Sequence, residues 1–395
     1  MSYLPSVLQD IRNMKDFIIK YGVAVGLLLM ATGTFSSCKD ESDDFTIGNF
    51  YPIDPNPQDT IVTPIDTTIA PQDVCWQLPI TVTKAADFNQ LFTRYSGWTG
   101  GDATYSIPLP DGRVMWIFGD SFIGTVKADR SRVGNSFLRN AIMIQDGNQM
   151  NTLMGGANAF LTPNVPGWWY WPGHGLAHGD TLQVVFFGFK STGGGAWDFA
   201  YASVDVVTFL LPNFTVLSIE RKVTDPPVNY GACVMEDGGY TYLYGSEKVG
   251  LNKFLHVARV QGKDLNNTWE YFNGTAWSTD PSASARVFAN VSDQFSVFKK
   301  DGHYYLLTQH HILGGDIYIY DSNSPMIGFD HKKTVYCTPQ THQGNLFTYN
   351  AFAHTQFSGA DGLLVSYNVN SFVFADLFQN ADNYRPYFVR VKGWE

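Results

Sequence analysis

The chain has 395 residues, of which 15% are aromatic and only 16% charged. That many aromatic side chains rule out disorder across the whole chain, and 37 Gly with 19 Pro argue against a coiled coil or helical repeat. A net charge of −10 argues against a nucleic-acid binder, which needs a cationic face, and four Cys are too few for a disulfide-dense scaffold.

In chain order, Lys15 and Lys20 precede an apolar run, Tyr21–Met30, and small residues then lead to Phe35-Ser-Ser-Cys38. A charged start, a short apolar run and a small-residue cleavage site make an export signal over residues 1–37. The run is about half of the roughly 20 residues that a spanning helix needs. Its end resembles the lipobox of bacterial lipoproteins, in which the Cys becomes the lipidated first residue; Phe35 replaces the usual Leu. Met14 before Lys15 is an alternative start. Lys39-Asp-Glu-Ser-Asp-Asp44 resembles the surface-export signal of Bacteroidetes-type lipoproteins. Residues 38–74 are acidic and rich in Pro, with no hydrophobic period, and read as an extended tether. Lipidation at Cys38 would put the protein on the outer membrane or cell surface, in contact with the membrane through its anchor alone.

Residues 75–395 carry recurring hairpin signals. Short runs of β-formers flank Pro110-Asp-Gly112, His178-Gly-Asp180, Glu236-Asp-Gly-Gly239, Lys300-Asp-Gly302 and Gly359-Ala-Asp-Gly362. Asp-Gly pairs between alternating apolar residues are strong hairpin signals. The glycines Gly112, Gly179, Gly238, Gly302 and Gly362 are 67, 59, 64 and 60 residues apart. Five units of similar length predict an all-β, five-bladed β-propeller. Helical periodicity shows only near Ala85–Phe92.

The stretch Gly100–Phe122 resembles the first blade of the propeller families described as domains of unknown function 5005 and 4185. The end of the chain, with Tyr349-Asn-Ala351, His354, Leu363–Asn370 and Tyr384-Arg-Pro386, resembles them too. These families are similar in architecture to the five-bladed furanosidases of glycoside hydrolase family 43. Some of the 4185 type cleave arabinofuranose polymers with an aspartate pair in the first blade. The resemblance implies the same equipment over residues 76–395.

The residues give that implication a physical reading of their own. A turn centred on Asp111 sets Asp102 opposite Asp120. Like charges directly across a strand pair are destabilising, so the arrangement points to function. One carboxylate raises the pKa of the other, giving an acid beside a base or nucleophile, which is what glycosidic cleavage requires. Asp102 as nucleophile or base with Asp120 as acid is the first assignment; the reverse stays open. Turn capping and a calcium site are the other readings of the pair.

Around it, Trp171 is a stacking platform, and His174, Tyr230, His310, Asn350, His354 and Asn368 are candidate sugar-hydroxyl binders. Glu247 joins the binding set as a reserve general acid. His310 and His311 end a strand, so the two should point to opposite faces, and no third zinc ligand stands at a motif spacing. Hence no metal and no cofactor are expected, apart from a structural calcium in the channel. With Cys38 lipidated, Cys75, Cys233 and Cys337 leave one disulfide and one free thiol. The reading is a surface-anchored glycoside hydrolase acting on a furanose-containing, arabinan-like glycan, as a monomer with a carbohydrate partner. The alternative is a non-catalytic glycan-binding lipoprotein.

Overall fold

The computed structural model describes residues 79–395 apart from 154, 156–158, 195–197 and 312. The signal at 1–37, Cys38, the tether at 38–74 and Cys75 lie outside the described residues. Residues 79–190 and 200–395 belong to one unit, and the connection 191–199 is a separate small one.

β1 (Thr81–Lys84) is followed by α1 (Ala86–Leu91), where the sequence shows its brief helical period. This helix has no side-chain cap. It is held by Asn89, which donates to the Phe388 carbonyl at 2.7 Å, and by Phe88 packing on Phe357 and Phe388. β2 (Ser96–Gly101) leads into β3 (Tyr105–Pro108), β4 (Val114–Phe118), β5 (Ser121–Val126), β6 (Arg132–Leu138), β7 (Ala141–Asp146) and β8 (Gln149–Leu153). These strands form a four-stranded sheet, β3-β4-β7-β8, and a three-stranded one, β2-β5-β6. β9 (Trp168–His178), β10 (Thr181–Ser191), β11 (Phe199–Leu210) and β12 (Thr215–Thr224) form the next meander.

β13 (Val228–Asp237), β14 (Tyr240–Val249) and β15 (Asn252–Gln261) follow, extended by β16 (Glu270–Phe272), β17 (Trp277–Ser278) and β18 (Phe288–Ala289). The fourth meander is β19 (Phe295–Lys300), β20 (His303–Gln309), β21 (Asp316–Ser322) and β22 (Asp330–Cys337). The last holds β23 (Leu346–Ala353), β24 (Leu363–Ser371) and β25 (Pro386–Lys392), with a short α2 (Asp376–Gln379) between the last two strands. β1 is its outer strand, paired Thr81 to Lys392.

The architecture is all-β. The first strands of successive meanders adjoin one another, β3 to β9, β9 to β13, β13 to β19 and β19 to β23. Each core cluster bridges neighbouring meanders. One joins Tyr105 and Ile107 of β3 to Tyr170 and Phe186, and another joins Tyr305 and Leu307 to Val365 and Val389. The tight turns follow their chemistry. Asp301 and Gly302 have φ of 50° and 85°, the left-handed pair that a two-residue hairpin needs.

Two expectations change. The fifth hairpin is not tight, because β23 ends at Ala353 and a 3₁₀ turn at Thr355–Phe357 intervenes. The first unit also carries the extra β2-β5-β6 sheet, built from segments on either side of its hairpin. Among the cysteines, Cys337 is disulfide-bonded, with a partner outside the described residues. Cys233 is a buried free thiol, pushed up to about 12 by burial.

Candidate active site

Asp102 lies in the crossing between β2 and β3, and Asp120 in the crossing between β4 and β5. The register of the two hairpin layers is continuous: Gly101 pairs with Ser121 and Tyr105 with Ile117. Between them, the Asp102 N–H donates to the Asp120 carbonyl (3.3 Å) and the Gly119 N–H to the Asp102 carbonyl (3.0 Å). Asp102 therefore faces both Gly119 and Asp120. The backbone just after it is strained, with φ of 66° at Ala103 and 56° at Thr104. Left-handed conformations cost non-glycine residues energy and persist where surroundings hold them. Asn368 does this, donating to Thr104 Oγ1 at 2.8 Å and to the Gly101 carbonyl at 3.3 Å.

The two carboxylates have different neighbours. Tyr349 donates to Asp102 Oδ2 at 2.8 Å and accepts from Asn370 at 3.2 Å. The Tyr384 hydroxyl donates to the Asp120 carbonyl at 3.0 Å and lies close enough to the Asp102 side chain to favour its charged form. Trp171 Nε1 donates to Asp120 Oδ1 at 2.8 Å, and the Arg139 guanidinium lies 3.3 Å from Asp120 Oδ2. Burial and then the charge of Asp120 push Asp102 up to about 7, against the two tyrosine hydroxyls. Burial also raises Asp120, and Arg139 and Trp171 oppose that rise. Both residues keep part of their surface open to water. The site can therefore hold one proton shared unequally, with the charge favoured on Asp120 beside its cation and the proton on Asp102.

Of the other sequence candidates, Trp171 reaches the pair. Asn350 is half-buried at the β23 bulge beside Tyr349, at φ 60°. Asn368 is fully buried, and its amide is spent on the Gly101 carbonyl and Thr104 Oγ1 beside Asp102. His354 is also fully buried. It sits between Ser106 Oγ (2.6 Å) and Ser366 Oγ (2.8 Å) and is held near 3 by burial, a neutral core histidine. His174 accepts from the Val234 N–H at 3.1 Å and stacks on Tyr105; burial lowers it to about 4. It bonds across first strands and is not directed at the pair by any of these contacts.

Tyr230 is buried and donates to Ser284. Glu247 is paired with Arg286 (2.6 and 2.9 Å) and His256 (3.1 Å). Arg286 holds its carboxyl down to about 2, so it has no proton to give as an acid. His310 lies past the end of β20, and its ring stacks on His311 at 4.8 Å. The strand alternation expected for the two does not apply, because neither is in the strand. Among the described residues, no three His, Cys, Asp or Glu side chains gather closely enough to hold a metal ion.

Arg139, Tyr349 and Tyr384 are the site residues that the sequence reading did not place. Arg139 falls one residue off a count from the β5–β6 turn, because of the bulge between Ile123 and Thr125. β5 and β6 pair Ser121 with Leu138 and Phe122 with Phe137, so one further step sets Arg139 beside Asp120. The tyrosines stand 247 and 264 residues from their partners, and only the end motifs hint at them.

A family model described as domain of unknown function DUF5005 matches residues 85–394. A crystal structure of a hydrolase candidate from Bacteroides ovatus ATCC 8483 is 26% identical, with a TM-score of 0.73 over 82% of this chain and 93% of that one. A levansucrase variant from B. megaterium is 15% identical, with a TM-score of 0.45 over 73% and 81%. The α-L-arabinofuranosidase of Podospora anserina, in complex with cellotriose, is 11% identical, with a TM-score of 0.43 over 75% and 92%. The last two likenesses are too low to bear on function. No curated protein matches the chain.

Proposed function

The chain belongs to the DUF5005 family, and we propose that it is a surface-anchored glycoside hydrolase, a five-bladed propeller that cleaves a furanose-containing, arabinan-like glycan with Asp102 and Asp120. The observation that carries this is the pair itself. Two half-buried carboxylates face each other across one register, both raised, one flanked by tyrosine hydroxyls and the other by a guanidinium. The description of the Bacteroides ovatus protein as a hydrolase candidate supports the reaction class. The likeness of Gly100–Phe122 to first blades of furanosidase-like propellers supports the sugar class. Five meanders with adjoining first strands support the blade count.

The electrostatics favour the reverse of the first assignment. Asp102 keeps the proton and is the acid; Asp120, its charge stabilised by Arg139 and Trp171, is the nucleophile or base. Asp102 gives its proton to the leaving glycosidic oxygen as the bond from that oxygen to the anomeric carbon breaks. Asp120 either takes a proton from the water that attacks that carbon, or attacks it directly to form a glycosyl ester, which a water deprotonated by Asp102 then hydrolyses to free Asp120. The products are a shortened glycan with a new hemiacetal and a new hydroxyl.

A degradation screen with arabinan, arabinoxylan and levan, run beside the Asp102→Asn and Asp120→Asn proteins, tests this. Sugar release by the parent, cut by about 10²-fold or more in each variant, is the expected result. Variants that release sugar at the parent's rate overturn it. Binding without release points to the glycan-binding alternative.

A further inference from the structure

Beside the carboxylate pair lies an aromatic surface that the proposed reaction does not use. Phe137, Phe374 and Phe378 are 40%, 52% and 38% exposed. Their rings gather around Phe122, with centroids 4.8, 6.2 and 5.2 Å from it. Phe122 is fully buried and meets Tyr384 edge to face at 5.6 Å. Tyr384 is the residue whose hydroxyl donates to the Asp120 carbonyl, close to the Asp102 side chain. A second chain of rings runs from Tyr349, at Asp102, through Phe347 (5.4 Å) to the half-exposed Phe372 (4.5 Å). The exposed rings therefore pack, through the buried rings of Phe122 and Phe347, against both tyrosines of the site.

The frame beneath these rings is fixed. Ser371 Oγ donates to Asp376 Oδ2 at 2.7 Å and accepts from the Val373 N–H at 3.0 Å. Arg132 donates to the Leu377 carbonyl at 2.9 Å from beneath, with its guanidinium 4.4 Å over Phe122. Clustered exposed aromatic rings on such a frame mark a surface that something covers. The segment Phe372–Phe378 carries one charge, Asp376, whose carboxylate is taken up by Ser371 and Asn345. It offers no cluster of cations for an anionic lipid surface. A neutral sugar chain suits it: the C–H face of a sugar ring packs on an aromatic face without needing a counter-charge.

We infer that Phe137, Phe374 and Phe378 form a glycan-binding surface beside the carboxylate site, which holds units of a polymer beyond the bond that is cleaved. This rests on the glycosidase reading and makes its substrate a polysaccharide rather than a di- or trisaccharide. The test is affinity electrophoresis of the full chain as the Asp102→Asn protein, which leaves the polymer intact, through gels containing arabinan, arabinoxylan or levan. At least one polymer retards it, and Phe374→Ser with Phe378→Ser weakens that binding about tenfold, the usual scale for aromatic contacts at a binding surface. Phe374→Tyr with Phe378→Tyr keeps the ring faces and keeps the retardation, which separates loss of the surface from loss of the fold. Equal retardation with Ser and with Phe overturns the inference, as does no retardation by any of the three polymers. Sedimentation that shows a dimer dissolved by the Ser substitutions assigns the surface to a second copy and also overturns it. Retardation through the rings by a parent that releases no sugar leaves the glycan-binding surface standing and removes the hydrolase reading alone.

Discussion

The carboxylate of Asp102 rests against the α-carbon of Gly119: a Cβ at residue 119 would lie 2.5 Å from Asp102 Oδ1 and 3.7 Å from Trp171 Cδ1. Glycine is what lets the acid lie across the opposing strand toward Asp120, and the same contact puts the indole of Trp171 close by. Gly119→Ala forces the Asp102 carboxylate aside and meets the Trp171 ring only at ordinary contact distance. Because misplacing a catalytic group by about 1 Å costs on the order of 10²-fold, this variant should lose about that much kcat on any glycan the parent cleaves. Its melting temperature should fall little. Parent-like kcat in a folded Gly119→Ala protein would show that the placement of Asp102 is not needed.

A carboxylic acid held near 7 in the fold and near 3.8 when exposed binds its proton more tightly in the folded state. Stability therefore falls as pH rises from about 4 to about 7 and levels off above. Asp102→Asn removes the buried charge and keeps the shape. It should raise stability at about pH 8 by on the order of 2 kcal/mol, allowing for partial access to water, or roughly 5 °C in melting temperature. The gain should vanish near pH 4. Thermal melts across that range measure it, and a gain of equal size at both ends would mean that the charge of Asp102 is not the cause.

Some of this was legible in the sequence and some was not, for physical reasons. The tight hairpins are local chemistry: left-handed φ at Asp301 and Gly302 is what Asp-Gly supplies. Asp102 and Asp120 share one hairpin register, so counting from the turn brings them together. The same count, carried onto β6, points to Leu138 instead of Arg139, because a bulge between Ile123 and Thr125 shifts that pair by one residue. Tyr349 and Tyr384 come from the other end of the chain, and no local rule connects them to Asp102. His354, Asn368, Tyr230 and Glu247 show a different limit of the sequence. Polar residues on strands near the site look like sugar binders, but in the fold these four bond to the side chains of Ser106, Thr104, Ser284 and His256. Whether such a group faces the site or the protein depends on neighbours contributed by other sheets.

Lipidation of Cys38 is a prediction from the sequence alone, since that residue lies outside the described part of the chain. In a bacterial host with lipoprotein export, mass spectrometry of the membrane fraction should find a chain that begins at Cys38 and carries acyl groups. Cys38→Ala should move the protein out of the membrane fraction. A membrane-bound chain that keeps residues upstream of Cys38 would mean that the apolar run is itself the anchor.

The last prediction concerns Arg139, which divides the work between the two carboxylates. Its guanidinium is 3.3 Å from Asp120 Oδ2 and lies 4.8 Å over the ring of Trp169. Its charge opposes the rise that burial imposes on Asp120, so Asp120 ionises first and Asp102 keeps its proton. The pH profile of kcat/KM should then be bell-shaped, with the acid limb reporting the first ionisation of the pair and the basic limb the second, near 7. Arg139→Met removes the cation and leaves Asp120 harder to ionise. The acid limb should move upward by about 1 pH unit, and activity near pH 5 should fall about tenfold. Arg139→Lys keeps a charge without the planar fork and should restore part of the shift. A residue that only packs on Trp169 would lower activity by the same factor at every pH. An acid limb that stays in place in the Met variant would therefore show that Arg139 does not set the charge on Asp120, and the assignment of acid and base to the pair would have to be reversed or abandoned.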